Sequence, residues 1–565
     1  MKRTSFSSSS SLRKRASCDA LFRVGERVAD RLVLLVLLGG VALFILWPMV
    51  CIALRSLRGD EGLTLAAYRT VVQRYGTAMR ASVFVGALTA VFTTLLSLAA
   101  ALTCATRSRR GRLALMALLA AAMVSPPFVS SLAYLQLYGR RGWITYRLLG
   151  LSWNPYNLYG VIAMQTLSFT PLSALFLLGV LDKLDGDSLR SARDLGASPG
   201  AILRDVVLPL LRPGLLVCML LAFVRSLADY GTPIIIGGRS TTLAAEIYLQ
   251  LVGYSDLEKS SAMNMLLLLP SIFFFFVYRA LMRRCDRLTA GSRGAQGGLS
   301  LPLRRCGVAG WLTLLGCGLF VLLTALQYGC VFLSGFLKSK KGVYSFTLDH
   351  WNELWRISAT PIVRSVCYAL LVAVAGTLFA ALFTYYMERR RVPGHALFDC
   401  VATLPYMLPG TCFGIGYILA FNHPPLKLTG TAVIVLANML FKQLPTCTKL
   451  CAATLSQLNP AQERSARDLG AGRLSVLCDV VLPNLRPALF SCFAYNFTSS
   501  MTTAGAILFL NDPGHQLAVF RLFDAVYKGE YALASVLATV ITGIVLAAEG
   551  LMWLLTHRKE RRRVS

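Results

Sequence analysis

The sequence Ser191-Ala-Arg-Asp-Leu-Gly-Ala197 occurs twice in this chain, the second time as Ser465-Ala-Arg-Asp-Leu-Gly-Ala471. The likeness extends beyond this stretch. From Ser191 to Leu215, 17 of 25 positions are identical when Ser191 is aligned with Ser465, without a gap. Chance does not produce such agreement, so the chain contains two copies of one structural unit. We call this alignment of Ser191 with Ser465 the repeat register.

Around the two copies, the 565-residue chain is strongly apolar, with 55% hydrophobic and only 15% charged residues. A soluble protein has about 25% charged residues, and a disordered basic chain lacks this many apolar ones, so neither class fits. Apolar runs of about 20 residues, long enough to cross a bilayer as helices, occur twelve times. They lie near Leu32–Leu54, Ser82–Cys104, Leu113–Leu137, Leu158–Leu181, Gly214–Ile236, Ala262–Met282, Val308–Leu333, Ser365–Met387, Ala396–Phe421, Thr429–Thr448, Ala488–Leu510 and Tyr531–Leu555.

Six of these runs precede a polar middle segment and six follow it. The two halves therefore have the same orientation and are related by an axis along the membrane normal. This pattern predicts an all-α integral membrane protein with about 12 transmembrane helices, built as two parallel six-helix repeats. The predicted segments are a basic tail at 1–31, a first repeat at 32–282, a linker at 283–307, a second repeat at 308–556 and a basic tail at 557–565.

The basic residues predict which helix ends face the cytosol. The chain has 57 Lys and Arg against 27 Asp and Glu, a formal net charge of +30. With the amino terminus in the cytosol, 36 of the basic residues fall on cytosolic segments, in agreement with the positive-inside rule. We therefore expect a multi-pass protein in a lipid bilayer with both termini cytosolic, and no binding of nucleic acid.

Cysteine and histidine do not indicate a metal site. Most of the 15 Cys lie in or beside apolar runs, where Cys packs as a small hydrophobic residue, and the five His are scattered. Cys447 and Cys451 are an i, i+4 pair and could share a helix face. No His or carboxylate accompanies them in the sequence, so we expect no bound metal there.

The most similar part of the two halves is a cytosolic loop, at 182–213 in the first half and 455–487 in the second. A loop that only led the chain back into the membrane would not need to be more alike than the helices it connects. We therefore interpret both loops as docking elements for a cytosolic partner.

Each loop has the capping signals of a short helix, a glycine turn and a second short helix. In the second copy, Asn459 is expected to cap the helix, Pro460 to occupy its first position and Gly470 to end it. In the first copy, Asp187 is expected to cap and Gly196 to terminate. Ser198 and Pro199 then offer a second cap and helix start.

Both loops resemble the motif of ABC importer permeases, written Glu-Ala-Ala, three residues, Gly, then a hydrophobic stretch ending in Leu-Pro. The resemblance covers nearly the whole chain, as two fused permease domains of the type I fold, and it implies that the short helices couple to an ATPase. Arg190 and Arg464 stand where the family has Glu, so we expect no acidic contact there. The coupling-loop residues are Arg190, Ser191, Ala192, Arg193, Asp194 and Gly196 in the first copy, and Arg464, Ser465, Ala466, Arg467, Asp468 and Gly470 in the second.

The resemblance also implies what this chain does not do itself. It contains no Gly-x-x-x-x-Gly-Lys-Ser/Thr phosphate loop, so we expect no catalytic residue and no cofactor in this chain. ATP and Mg are expected on two copies of a separate cytosolic ATPase subunit. A substrate-binding protein is expected on the outer face, and the location is expected to be the bacterial cytoplasmic (inner) membrane.

Two further stretches bear on the substrate. Residues 227–238 with 245–248, and residues 501–510 in the second half, resemble the ferric-iron group of these permeases, which includes fused two-domain members. Related permeases for thiamine, aminoethylphosphonate, sulfate and polyamines share much of the pattern and remain alternatives. A secondary transporter and a non-transporting membrane scaffold are the alternative classes, although a secondary transporter has no reason to duplicate a docking loop.

Polar residues inside a membrane span are candidates for the translocation path because their desolvation is costly. Asp229 and Tyr230 lie in the fifth predicted span, and the repeat register places Thr503, beside Thr502, opposite Asp229. The carboxylate could meet a cationic substrate or hold a gate. The alternative is an i, i+4 ion pair with Arg225 that only neutralises the helix.

Prolines interrupt two of the predicted spans. Pro126 and Pro127 lie in the third, and Pro405 and Pro409 lie in the ninth. Because proline removes a helical hydrogen bond, these positions are candidate hinges.

Overall fold

The computed structural model describes residues 25, 28–59, 62–126, 128–151, 154–183, 186–289, 306–340, 343–406, 408–510 and 513–564. Most of the predicted amino-terminal tail, at 1–24, and most of the predicted linker, at 290–305, lie outside the described residues. Helices dominate what is described, as the apolar runs predict.

Helices lie at all twelve predicted positions in the described part of the chain. Eight are single helices long and apolar enough to cross a membrane: Val28–Leu57, Ala66–Thr106, Leu158–Leu181, Pro199–Ala228, Leu257–Cys285, Gly307–Ser334, Asp349–Arg389 and Tyr531–Leu554. Three more are bent pairs: Arg109–Val124 with Val129–Leu148, His395–Tyr406 with Gly410–Phe421, and Arg473–Asn484 with Arg486–Thr502. The tenth predicted span is the helix Ala432–Gln457, which carries Lys442 and Lys449.

The third and ninth spans break beside Pro126, Pro405 and Pro409, while Pro127 lies outside the described residues. The two helices of the third span meet at 97°, and those of the ninth span at 115°. Phe128 caps the second half of the third span with φ +79°, a left-handed backbone conformation that rarely suits a side chain. The breaks are therefore confirmed, whereas their role as hinges stays a prediction.

The fifth and eleventh spans are shorter than their apolar runs. The predicted runs continue to Ile236 and Leu510, but the helices end at Ala228 and Thr502. The runs continue as separate short helices, Gly231–Ile236 and Ile507–Leu510. Hydropathy did not reveal these breaks because apolar residues resume after each break and continue to Ile236 and Leu510.

Several short elements complete the fold. The outer segment after the fifth span contains Leu243–Tyr248 and a π-helical turn at Leu249–Gly253, and the matching segment of the second half contains Ala518–Tyr527. Two antiparallel hairpins pair Arg58–Gly59 with Gly62–Leu63 and Leu337–Lys340 with Val343–Phe346. The sixth and twelfth spans run on as helices to Thr289 and Val564, into the predicted linker and carboxyl tail.

The first helix of each half packs against the other half. Helix Trp47–Leu57 lies on the ninth span, where a Cβ at Gly416 would come within 2.9 Å of the Pro48 side chain. The seventh span, Gly307–Ser334, lies on the second and third spans of the first half. This exchange buries apolar surface between the two halves and places their fifth and eleventh spans around a shared centre.

Candidate functional site

The loop at 455–487 begins with helix Pro460–Asp468, as its capping residues predict. The Asn459 side chain accepts a hydrogen bond of 2.9 Å from the Ala461 N–H. Gly470 has φ +89°, which only glycine adopts readily, and it ends the helix. The predicted start, first position and end of this helix are confirmed.

The loop at 182–213 also contains a short helix that ends at a glycine, but its helix starts differently. Its helix is Gly186–Asp194, so Asp187 lies inside the helix and the prediction that it caps the helix is wrong. Gly196, with φ +81°, ends the helix as expected. Ser198 then accepts a hydrogen bond of 3.3 Å from the Ala201 N–H, so the predicted second cap is confirmed.

We call Gly186–Asp194 and Pro460–Asp468 the docking helices. Their exposed polar residues are Arg190, Ser191, Arg193 and Asp194 in the first copy and Arg464, Ser465, Arg467 and Asp468 in the second, and both terminal glycines, Gly196 and Gly470, are also exposed. Ala192 and Ala466 are half-buried against the segments that lead back into the membrane. The predicted coupling residues thus share one outward surface in each copy.

Two leucines on this surface are exposed although they are apolar. Leu195 is 88% exposed and Leu469, at the matched position of the repeat register, is 90% exposed. Exposure of a leucine at the same place in both copies is therefore a shared property of the two helix ends. The sequence analysis did not single them out, although their identity within the repeat was a visible signal.

The contacts that hold each docking helix against the rest of the protein differ between the two copies. Glu463 forms an ion pair of 3.2 Å with Arg389, at the end of the eighth span, and a longer one of 3.9 Å with Arg467. Arg389 also donates a hydrogen bond of 3.0 Å to the Leu455 carbonyl. At the matched position in the first copy stands Leu189, which is buried in an apolar cluster with Ile202 and its neighbours.

The predicted path residues lie at the two helix breaks. Asp229 and Thr503 each follow the last residue of their helix, and both have extended backbone conformations. Asp229 and Tyr230 line a cavity of about 320 Å³ between the two halves. Thr502 and Thr503 do not: the Thr502 hydroxyl donates back to the Thr498 carbonyl, and the Thr503 hydroxyl to the Ser499 carbonyl.

We call this space the central cavity. Its walls come from both halves: Phe128, Phe169, Val224, Arg225, Ala228, Asp229, Tyr230 and Gly231 from the first, and Pro405, Tyr406, Leu408, Gly410, Lys442, Ala504 and Gly505 from the second.

The carboxylate of Asp229 is held by neutral N–H donors. It accepts a hydrogen bond of 2.9 Å from the Gln165 side chain, and its other oxygen accepts from the backbone N–H groups of Gly231 at 3.0 Å and Thr232 at 3.3 Å. Asp229 therefore caps the short helix that follows the break. Its side-chain partner was not visible in the sequence because Gln165 lies on a different span, Leu158–Leu181.

The structure does not support the alternative of an ion pair between Arg225 and Asp229. Among the described residues, no salt bridge within 4.0 Å joins them. The Arg225 guanidinium instead lies over the Phe169 ring, 4.7 Å from its centroid, and its side chain is exposed to the central cavity. The helix break turns the carboxylate toward the following amides, which removes it from the i, i+4 register.

Lys442 is the second cation of the central cavity and was not among the predicted path residues. It is half-buried in the tenth span. Its ammonium lies close to Gly505, where a Cβ would come within 2.8 Å of Nζ. A charged residue within an apolar run was the signal in the sequence, but only the packing of the halves shows which space the side chain faces.

An aromatic cluster adjoins the central cavity at Tyr230. The Tyr230 hydroxyl donates a hydrogen bond of 2.9 Å to the Gly505 carbonyl and so joins the two halves. The Tyr230 ring stacks on Tyr248 at 5.5 Å and contacts Phe509 at 5.8 Å, while Tyr248 contacts Phe523 at 5.8 Å. Rings from both halves thus meet at one barrier beside the cavity.

Comparison with known proteins gives a consistent result. The family described as "binding-protein-dependent transport system inner membrane component" matches this chain twice, at residues 94–287 and 373–560. Each match covers most of one half, in agreement with the internal repeat.

Three individual relatives have between 28% and 29% of their aligned residues identical to this chain. The chain is 29% identical over 441 residues to the "ferric transport system permease protein FbpB" of Actinobacillus pleuropneumoniae, covering 75% of this chain but only 64% of that protein. It is 29% identical over 482 residues to the "putative ferric transport system permease protein FbpB 1" of Haemophilus influenzae, covering 83% of this chain and 76% of that protein. The "sulfate transport system permease protein CysT" of Escherichia coli is 28% identical over 238 residues, covering 39% of this chain and 84% of that protein.

Proposed function

Because this chain belongs to the family of binding-protein-dependent transport system inner membrane components, we propose that it is the permease of an ATP-driven importer whose cargo is ferric iron. The observation that carries the importer function is the pair of matched docking helices, each with one exposed leucine. The relatives named as ferric transport permeases, which align over most of this chain, support ferric iron as the cargo.

We propose that the energy for transport comes from a partner protein that the docking helices contact. We propose that two copies of a cytosolic ATPase subunit, carrying ATP and Mg, each hold one docking helix. An outer binding protein delivers the cargo, and both termini of the permease lie on the cytosolic side of a bacterial inner membrane. The permease then forms and breaks no covalent bond, and its work is a change between two conformations biased by these partners.

The central cavity and its aromatic cluster fit one of these conformations. The chain from Arg212 of the docking loop to Asp229 would span about 25 Å as a helix at 1.5 Å per residue. The cavity therefore lies far from the docking helices. We propose that the Tyr230 contact to Gly505 opens when the ATPase subunits close, because the contact joins the two halves.

Reconstitution tests the proposed cargo directly. The permease is placed in proteoliposomes with its ATPase, and binding proteins loaded with ferric ion, thiamine, aminoethylphosphonate, sulfate or a polyamine are added in turn. We expect only the ferric form to stimulate ATP hydrolysis strongly and to deliver its cargo into the vesicles. Stimulation by another loaded binding protein would replace iron with that cargo and retain the importer.

The alternative classes predict different results in the same vesicles. A secondary transporter would move cargo without the ATPase, and a membrane scaffold would bind the ATPase without moving any cargo. The matched control is the unloaded binding protein, which should leave ATP hydrolysis near its basal rate.

A further inference from the structure

The central cavity carries more positive than negative charge. Its described lining contains two cations, Arg225 and Lys442, and one carboxylate, Asp229. This balance is unexpected for a path that a bare trivalent cation would use, because like charges repel most strongly where water is scarce. The proposed cargo and the charge of the cavity have to be reconciled.

The Asp229 carboxylate is the one negative charge among the described lining residues, but its oxygens are already used as hydrogen-bond acceptors. Its oxygens accept hydrogen bonds from Gln165, Gly231 and Thr232. A ferric ion at this carboxylate would have to compete with these three donors, two of which are amides of the helix that follows the break. The Asp229 carboxylate therefore stabilises the break between the two helices through these hydrogen bonds.

The two cations are available for a ligand. Lys442 has no hydrogen-bond or ion-pair partner among the described residues, although an unpaired ammonium in a membrane helix is costly. The Arg225 guanidinium lies over the Phe169 ring and its side chain lines the cavity; among the described residues it has no ion-pair partner either.

Neither cation belongs to the repeated scaffold. In the repeat register, Ser499 matches Arg225 and Ser168 matches Lys442, so each half supplies one cation from a different helix. Arg225 is on the fifth span and Lys442 on the tenth. The two charges meet in the central cavity only because the halves pack together.

Resting on the proposed function, we infer that the cargo occupies the central cavity as an anionic complex of ferric ion with oxygen ligands, and that Arg225 and Lys442 bind those ligands. Hard cations take carboxylate and phosphate oxygens as ligands. Guanidinium and ammonium groups are the usual protein partners of the same oxygens. The cavity recognises the anionic shell, and the ferric ion stays out of contact with Asp229.

The first experiment measures binding by the permease alone, purified in lipid nanodiscs. Thermal unfolding is followed with ferric citrate, citrate, inorganic phosphate or gadolinium ion, which serves as a bare trivalent cation. We expect ferric citrate to raise the unfolding temperature and gadolinium ion to leave it unchanged. Citrate and phosphate alone then show which class of oxygen ligand the site prefers. A response to gadolinium ion without one to ferric citrate would overturn the inference.

Substitutions assign the binding to the two cations. Lys442→Gln and Arg225→Gln should each weaken the apparent affinity for ferric citrate roughly tenfold, as expected for loss of a charge-assisted hydrogen bond. Lys528→Gln is the matched control, because Lys528 is an exposed lysine outside the cavity lining. Unchanged affinity in both cavity variants would overturn the inference, and the ligand comparison on the unsubstituted protein stands if a variant fails to fold.

The second experiment separates this inference from the proposed cargo. Proteoliposomes with the ATPase and the iron-loaded binding protein are supplied with radioactive iron and labelled citrate or phosphate. Iron uptake that is lost in Lys442→Gln but kept in Lys528→Gln, with anion entering alongside iron, supports the inference. Iron uptake that continues unchanged in both cavity variants overturns it and leaves the cargo intact. No iron uptake, with citrate binding that still depends on Lys442, overturns the cargo and leaves the anion site.

Discussion

The two docking helices are alike on their outward surface and different beneath it. Leu195 and Leu469 are exposed to the same extent at matched positions. Underneath, the first copy buries Leu189, whereas the second pairs Glu463 with Arg389. The outward surface must fit the same partner twice, so it is retained, while the inner surface only has to be packed and can change.

The second docking loop is also tied to the first half of the molecule. Asp30, at the start of the first span, accepts a hydrogen bond of 2.7 Å from the Tyr386 hydroxyl and forms ion pairs with Arg390 at 2.5 Å and Arg473 at 3.5 Å. Arg473 begins the segment that follows the second docking helix. The described contacts of the first loop include instead an ion pair of 2.5 Å between Arg112 and Asp182, both within its own half.

The largest effect is expected from substitutions on the outward surface that the two docking helices share. Replacing both exposed leucines, Leu195→Asp with Leu469→Asp, should abolish cargo-stimulated ATP hydrolysis and copurification of the ATPase. Burying a leucine in a partner contributes about 1.5–3 kcal/mol, and a carboxylate in the same pocket is unfavourable. Because both positions are solvent-exposed, thermal stability of the permease alone should not change.

The single variants then test whether the copies are equivalent. Leu195→Asp and Leu469→Asp should weaken ATPase binding to a similar degree. Full cargo-stimulated ATP hydrolysis in the double variant would show that neither leucine contributes to ATPase binding.

The second-largest effect is expected from the buried contacts beneath the second docking helix, which differ from those beneath the first. Glu463→Leu should destabilise the permease by about 2–3 kcal/mol, because it leaves the mostly buried Arg389 without its carboxylate partner. The first half has leucine at both matched positions, Leu189 and Leu115. Adding Arg389→Leu should therefore restore most of the stability, since an apolar pair can replace a buried ion pair.

Thermal unfolding of the two single variants and the double variant measures this coupling as a cycle. Additive losses would show that Glu463 and Arg389 act independently. Leu189→Ala serves as the comparison in the first copy and should cost about 2–5 kcal/mol as a buried leucine.

A smaller effect is expected at the glycines that end the docking helices. Gly196→Ala and Gly470→Ala place a side chain at φ +81° and φ +89°, at a cost of about 1–2 kcal/mol each. No atom outside the adjacent residues lies within 4 Å of a Cβ at either position, so the cost is conformational only. Equal losses of ATPase binding in the two variants would support equivalent turns, and no loss would show that the left-handed turn is unnecessary.

The smallest effect is expected from the exposed arginines at the motif positions. Arg190→Glu and Arg464→Glu should each change ATPase binding by less than about 1 kcal/mol, because interactions of exposed charges are weak and screened by salt. Measurements at low and high salt check this. A large, salt-sensitive loss would show that an acidic surface of the partner faces these arginines.

Much of this molecule follows from local properties of the sequence. Run lengths predict twelve spans, and helices lie at all twelve positions. Capping signals predict the second docking helix from Pro460 onward, because a cap depends on a few adjacent residues. The same reasoning misplaced Asp187 and missed the breaks after Ala228 and Thr502, since apolar residues resume after both breaks.

The sequence by itself determined the repeat, the spans and the docking loops, because periodicity, hydropathy and capping act over neighbouring residues. Only the tertiary structure decided which groups surround the charged residues of the predicted spans. It turned Asp229 toward Gln165 and the following amides, left Lys442 without a partner among the described residues, and brought Arg225 to the same cavity from the other half. These outcomes depend on how the two halves pack, because a charge within a bilayer is governed by the groups that surround it in space.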